Sequence, residues 1–313
     1  MKKFLQADFE HRELFVRLFG QDVYAVGGFV RDLLLGRSPQ EVDLLIQGHP
    51  LEEIIDKLKP YGRVDLVGRS FGVIKFTIDG RTYDVALPRK DRALADSQET
   101  GRSHKDFVIE ADPFLPLEKD LERRDFRCNS LALRLADGKI IDPFNGQADL
   151  EQKIIRLTNP GSFPDDPLRV MRAARFASVL EFDIDREIYL AAKEIDLSGL
   201  SVERINEELF KILLQSPRPG RGLQEMLKLT VLKQLFPELY RCSLSIQDSY
   251  FHPEKDEAGH HTVWAHLLLS VDQAKIISRQ QGLETTRELA LLLAALYHDA
   301  GKPATADWEY KKD

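Results

Sequence analysis

Cysteine is nearly absent: Cys128 and Cys242 are the only two in 313 residues. That is too few for a disulfide framework and fits a reducing cytoplasm, the location expected for this chain. Apolar runs stay well below the ~18 residues that cross a bilayer, so no membrane span is expected. The opening MKKFLQADFEHREL has lysines but no apolar centre, so it is not expected to be a secretory signal peptide. Neither an internal repeat nor a low-complexity tract occurs. Net positive charge is also lacking. At −7 the chain as a whole does not attract a polyanion, and a nucleic-acid partner needs a locally basic surface. The common phosphate-loop patterns, GxxxxGK[ST] and GxGxxG, are missing. What remains is ordinary globular composition, 43% hydrophobic and 30% charged, with length for two or three domains.

The most informative stretch is Gly27-Gly28-Phe29-Val30-Arg31-Asp32-Leu33-Leu34-Leu35-Gly36-Arg37, followed by Glu41-Val42-Asp43. It reads as strand, glycine turn, short helix and second strand. Val23 to Val26 is apolar and β-prone, and paired glycines let backbone approach a ligand closely. Amides opening the next helix favour an anion, and Arg31 adds a fork of donors for phosphate oxygens. On a strand, residues i and i+2 share a face, so Glu41 and Asp43 are expected to converge. Tight turns and solvated acidic pairs are common separately. In this order and this close, they point to Mg²⁺-dependent phosphoryl or nucleotidyl transfer.

Residues 1 to about 135 read as mixed α/β. Helices are expected near 9–19 and 50–59, a strand at 22–26, and β-like runs at Arg63–Val67, Gly72–Ile78 and Thr82–Pro88. Turns are expected at Arg69-Ser70 and Asp79-Gly80. Closely spaced hairpins after a strand–helix–strand unit suit a small mixed sheet, not a doubly wound parallel one. Asp84 sits in the last run, either as a surface strand charge or as part of the site. Residues 89–114 are charged and aperiodic, and read as a long loop. In Leu121 to Ala132, the adjacent Arg123 and Arg124 precede an apolar run, so one of them can face the site. From about residue 145 the pattern turns helical. Acidic Asp165 and Asp166 precede Pro167 at one helix start, and Ser201 caps another. Pro217 to Arg221 breaks the helices, and Arg218 and Arg221 are candidates for RNA phosphates.

GGFVRDLLLGR followed by acidic-x-Asp resembles the signature of the class II tRNA nucleotidyltransferase and bacterial poly(A) polymerase superfamily. That superfamily usually carries Asp-x-Asp, and here Glu41 stands first. The resemblance extends through ordered blocks from residue 20 to about 215. It implies that Glu41, Asp43 and Asp84 form a catalytic acidic set holding Mg²⁺, with Gly28 and Arg31 at the nucleotide. By the match of Arg123 to Asn129 to the Arg-Arg-Asp-Phe-Thr-x-Asn block, Arg124 holds the triphosphate, and Asp125 and Asn129 order the sugar and the hinge. Arg127 replaces the usual threonine of that block and Ser130 a common alanine. Asp142 through Leu150 marks the end of the catalytic domain, and residues 89–114 become a mobile lid. Asp165-Asp166-x-x-Arg169 resembles the element that serves as an amino-acid template for base choice, with Arg172 one turn on. An aspartate accepts from an exocyclic amine and an arginine donates to ring nitrogen or carbonyl, so together they read C and A. Ser201 to Lys211 resembles the helix that buttresses that element.

His260-His261-Thr262 and His298-Asp299-Ala300-Gly301-Lys302 lie on either side of long apolar helices. His261, His298 and Asp299 offer three metal ligands, against the alternative of ordinary core or surface histidines. The string resembles the opening of an HD phosphohydrolase domain. That fold normally adds an aspartate from a later helix, so the site is expected to be incomplete and the domain cut short. Lys302, three residues after Asp299, is not expected one helical turn away, because Gly301 and Pro303 interrupt.

The fold class expected is α+β: a small mixed-sheet, polymerase-β-like head (1–140), a helical neck with the base template (141–216), and a helical body with a partial HD-like segment (217–313). The expected activity is Mg²⁺-dependent addition of C, A or both from CTP and ATP to a tRNA 3′ end. The rivals are a bacterial poly(A) polymerase, an RNA-binding protein with an inactive transferase site, and an HD phosphohydrolase.

Overall fold

All four residues of Val23–Val26 (β1) are buried, as are three of the four in Asp43–Ile46 (β2). Strands covered on both faces need apolar side chains pointing both ways, which places these two at the centre of a sheet rather than at its rim. The structure, a computed structural model, describes residues 9–39, 41–68, 72–93 and 107–305. The chain divides into two compact units, Met1–Asp165 and Asp166–Asp313.

In the first unit, Arg12–Phe19 (α1) precedes β1, and Gly28–Leu34 (α2) joins it to β2. Then come Leu51–Leu58 (α3), Arg63–Gly68 (β3), Val73–Ile78 (β4), Arg81–Ala86 (β5), Arg89–Ala93 (β6), Phe107–Ala111 (β7), Leu117–Glu122 (α4), Ala132–Arg134 (β8), Ile140–Ile141 (β9) and Gly146–Gln152 (α5). Seven strands form one sheet in the order β3-β4-β5-β2-β1-β8-β9. Its pairs are antiparallel except β2 with β5, which run parallel. This is the expected mixed sheet. On one face Tyr24, Val26, Leu45 and Ala132 pack against Leu117 and Leu121 of α4. On the other, Phe15 of α1 meets Phe76 at 5.9 Å and Tyr83 at 5.3 Å between ring centres, both edge-on, an arrangement aromatic quadrupoles favour.

The β4–β5 turn at Asp79-Gly80 has φ of 49° and 78°, the double positive φ of a type I′ hairpin. The expected turn at Arg69-Ser70 lies outside the described residues. The reading of 89–114 as loop needs correction: β6 and β7 pair antiparallel from Arg89–Ala111 to Ala93–Phe107. The backbone ladder supplies that pairing, and the charged RKDRA segment shows no alternation that could announce it. Residues 94–106, where the expected lid falls, lie outside the described residues.

The second unit is helical: Leu168–Leu180 (α6), Arg186–Ala192 (α7), Val202–Gln215 (α8), Pro219–Lys228 (α9), Val231–Leu235 (α10), Pro237–Leu244 (α11), Val263–Gln281 (α12), Thr285–Tyr297 (α13) and Lys302–Thr305 (α14). Ser201 caps α8 as expected, and Pro219 opens α9 at its first turn, where its missing N–H costs nothing. Buried Leu209, Ile212, Leu213, Leu223, Met226, Trp264, Leu292 and Leu296 form its interior.

Candidate nucleotide and metal sites

The glycine turn is shaped by an arginine. Gly27 has φ +67°, and a Cβ there would lie 2.9 Å from Arg124 Nη1. The backbone angle favours glycine, and the bare backbone also lets the guanidinium lie against the chain. At Gly28 a Cβ would sit 3.4 Å from Arg31 Nη2, so both arginines flank the turn. Arg31 is clamped: Nε and Nη2 donate to Asp32 at 2.9 and 3.0 Å, and Nη1 donates to Asn129 Oδ1 at 2.8 Å. Asn129 donates in turn to Asp125 Oδ1 at 3.1 Å, an oxygen that also accepts the Phe126 amide. Asp125 and Asn129 are both buried. Their shared position is therefore to brace Arg31 from beneath.

Arg124 is held by Asp120, whose Oδ2 accepts from Nη2 at 3.1 Å while Oδ1 accepts from Arg123 at 2.7 Å. Asp120 is fully buried. Burial pushes its pKa up, but Arg124 and Arg123 outweigh that, and the net shift is downward. Sequence reasoning missed Asp120, although its i,i+3 and i,i+4 spacing to the arginines was a visible helical signal. Arg127, the departure from the family block, donates through Nε to the Leu157 carbonyl at 3.0 Å and is structural.

The acidic residues gather around the start of β2. Asp43 opens β2 and is in register with Asp84 on β5. Asp43 is accessible at the start of this central strand yet crowded by protein. That crowding is the largest influence raising its pKa; Asp84 and Glu41 add to it, while Arg124 and Lys75 oppose it. The expectation for Glu41 needs one correction: β2 starts at Asp43, so Glu41 precedes the strand and strand alternation does not aim it. Lys75, in register with Asp84 on β4, donates to its Oδ1 at 2.8 Å. Asp43, Asp84 and Glu41 are close enough to influence one another electrostatically, and carboxylate oxygens are the donor type a hard divalent cation takes. An open pocket of about 530 Å³ lined by Tyr24, Gln47, Arg134, Lys139 and Ile141 lies at the opposite strand ends, away from this edge.

In the helical unit, Asp166 precedes α6 and accepts from Arg204 of α8, whose Nη2 reaches both oxygens at 2.8 and 3.0 Å. The Asp166 carbonyl also accepts the Arg169 amide at 3.0 Å, closing the first turn. Arg172 lies 3.9 Å from Glu208, and Arg175 lies 2.7 Å from it. Arg175 stacks 4.1 Å over the Phe176 ring. Glu208 is buried. Arg175, Arg204 and Glu208 were missed, since an amphipathic pattern does not say which charges meet across helices. Arg218 and Arg221 are engaged by Glu181 and Asp183.

The structure brings His298 and Asp299 together, but the histidine beside them is His266, not His261. His298 Nε2 lies 3.3 Å from His266 Nε2 and 3.3 Å from Asp299. His266 Nδ1 contacts Glu254, and His252 meets His266 edge-on with ring centres 4.7 Å apart. Two groups place their ligand atoms within 4.8 Å of one another: His252, Glu254 and His266, and His266, His298 and Asp299. His261 instead directs Nδ1 to the carbonyls of His252 and Glu254, at 3.0 and 3.2 Å, and so holds the preceding loop. Contrary to expectation, Lys302 reaches Asp299 at 2.7 Å; a turn closed by the Lys302 amide on the Asp299 carbonyl brings it there.

A mixed sheet with a glycine turn, two braced arginines and an acidic edge is the architecture of a polymerase-β-like nucleotidyltransferase head. Residues 23–156 match the poly A polymerase head domain, and residues 181–242 match the probable RNA and SrmB-binding site of polymerase A. The chain belongs to the class II family of CCA-adding enzymes and bacterial poly(A) polymerases. It is 35% identical to the multifunctional CCA protein of Haemophilus ducreyi over 90% of this chain and 64% of that protein. With the multifunctional CCA protein of Hahella chejuensis it shares 33% identity over 92% of this chain and 63% of that protein. The chain thus spans a little under two thirds of the length of these relatives. Its fold is similar to that of a CCA-adding enzyme in an apo form, with TM-score 0.68 and 26% identity over 98% of this chain and 69% of that one. It is also similar to the Thermotoga maritima CCA-adding enzyme complexed with tRNA, with TM-score 0.67 and 24% identity over 97% of this chain and 68% of that one. Nucleotidyltransferases of this family generally use divalent metal ions. No helix among the described residues is long and apolar enough to cross a membrane.

Proposed function

We propose that this chain adds C, A or both from CTP and ATP to the 3′ end of tRNA and releases pyrophosphate. The observation that carries the reading is the register of Asp43 with Asp84 beside a glycine turn flanked by Arg31 and Arg124. Relatives named multifunctional CCA proteins, and a structure of a CCA-adding enzyme with ATP at 25% identity, support it.

In the reaction the terminal hydroxyl oxygen of the RNA bonds to the α-phosphorus. The bond to the β-phosphate bridging oxygen breaks, pyrophosphate leaves with that electron pair, and the hydroxyl proton is lost. Arg31 and Arg124 donate to the triphosphate oxygens, and their clamps on Asp32, Asn129 and Asp120 keep both guanidiniums aimed without reorganisation. Gly27 and Gly28 let backbone amides approach the same phosphates. Glu41, Asp43 and Asp84 would hold Mg²⁺, which would supply charge neutralisation at the reacting oxygens. Asp166 and Arg169 present an acceptor and a donor to the base edge. Residues 1–140 act as the catalytic head, 141–216 as the neck bearing the template and 217–313 as the body; the cytoplasm, where tRNA is processed, is the site of action. Within the body, His266, rather than His261, with His298 and Asp299, is the candidate ligand set of the HD-like segment.

The test is incorporation of labelled CTP or ATP by the purified chain into tRNAs ending without A, CA or CCA. Selective completion of one or more of these ends is expected. Long homopolymeric A tails would favour the poly(A) polymerase reading, and no incorporation would favour an RNA-binding protein with an inactive site.

A further inference from the structure

Among the described residues, Lys75 is the cation the sheet itself places beside the acidic residues, and the reaction described above assigns it nothing. It stands on β4 directly across from Asp84 on β5, and β2 carries Asp43 on the far side of Asp84. Its ammonium lies 2.8 Å from Asp84 Oδ1, both side chains being roughly half exposed, at 46% and 47%. Glu41 and Asp43 also act on Lys75 electrostatically. With Lys75 in place, Asp84 spends an oxygen on a monovalent ion pair. Among the described residues, the groups of three side chains that gather within 4.8 Å both lie in the helical unit, and the acidic edge forms none.

We infer that Lys75 is a built-in counter-ion of the acidic edge: its ammonium neutralises Asp84 until a divalent cation displaces it, so that Lys75 sets the metal affinity of the site. The inference rests on the reading of Glu41, Asp43 and Asp84 as metal-holding residues. A divalent ion at Asp84 sits near the Lys75 ammonium and competes with it for the carboxylate, whose Oδ1 the ammonium already holds, and both effects weaken binding. The ion pair is solvent-exposed and hence weak, so the effect is a modulation of affinity and not an on–off switch. Lys75 would be a positioning residue, acting through Asp84.

The experiment is direct Mn²⁺ titration of the full chain, read by loss of the free-ion electron paramagnetic resonance signal, with no nucleotide present. A His266→Ala/His298→Ala background silences the helical-unit cluster. Lys75→Met should bind Mn²⁺ about fivefold more tightly, while Lys75→Arg, which keeps the charge, stays within about twofold of the parent. Lys139→Met, at an exposed site beyond the far strand ends, makes the same change in net charge and should leave affinity unchanged. If Lys75→Met fails to fold by circular dichroism, Lys75→Gln takes its place. Unchanged or weaker binding in the Lys75→Met protein overturns the inference, as does equal tightening in Lys139→Met. Asp43→Ala separates the two layers. If it retains Mn²⁺ binding, the metal reading itself is wrong. If it loses binding while Lys75→Met matches the parent, only the role of Lys75 falls.

Discussion

Arg204 should tune nucleotide choice far more than stability. Its guanidinium grips both oxygens of Asp166 at 2.8 and 3.0 Å, yet Arg204 and Asp166 side chains are 47% and 35% exposed. Exposed pairs contribute at most about 1 kcal/mol, so Arg204→Met should lower the melting temperature by no more than about 4 °C. The effect on selectivity follows from geometry. Without Arg204, only the Leu168 amide among the described residues, 3.2 Å from Oδ1, still holds the Asp166 carboxylate, and recovering the rotamer that meets a base edge costs up to about 1 kcal/mol, or roughly fivefold. Asp166→Ala removes the acceptor itself, at about 1–3 kcal/mol, which is roughly ten- to hundredfold. The assay is kcat/KM for CTP, ATP, UTP and GTP on one tRNA substrate. Arg204→Met should show partial loss of discrimination and Asp166→Ala a larger one. Unchanged selectivity in Asp166→Ala returns the residue to ordinary helix capping. Loss in Asp166→Ala with none in Arg204→Met refutes the positioning argument alone.

Glu208→Ala should destabilise the chain by about 3 kcal/mol or more, because it strips the anion from Arg175, whose side chain is only 12% exposed; a loss under about 1 kcal/mol in chemical denaturation would contradict this. Asp120 governs part of the acid limb. Its folded pKa is lowered, so its contribution is fully present above the unfolded value near about 4 and is lost as pH falls through the lower folded value. The stability gap between the parent and Asp120→Asn should therefore narrow below about pH 4, and melting curves with a constant gap from pH 6 to 2 would refute the assignment.

The strand–turn–helix–strand unit around Gly27 was legible because every link is local: apolar β1, a turn needing glycine, a short amphipathic helix and an acidic strand start. The Asp79-Gly80 hairpin was legible for the same reason. What escaped depends on register or on tertiary approach. The β6–β7 pairing joins segments with a long intervening stretch and no alternation in the first of them. Lys75 gains meaning only when the β4–β5 register sets it opposite Asp84. The histidine error has a helical cause. Thr262 caps α12, so His261 falls before the helix while His266 lies one turn inside it. Adjacent histidines made 260–261 conspicuous, but a lone histidine at the right helical position is the one that meets His298. Expecting Lys302 far from Asp299 overweighted Gly301 and Pro303, since a single turn suffices to bring the pair together.

The central claim is that the acidic edge at β2 carries out nucleotidyl transfer. Its most direct measurement is single-turnover incorporation of labelled nucleotide into tRNA lacking its 3′ end, comparing the parent chain with Asp43→Ala at matched folding. Loss of a metal-holding carboxylate removes several kcal/mol of transition-state charge stabilisation, so incorporation should fall at least about a hundredfold while the melting temperature holds. Incorporation by Asp43→Ala above about a tenth of the parent rate would contradict the account.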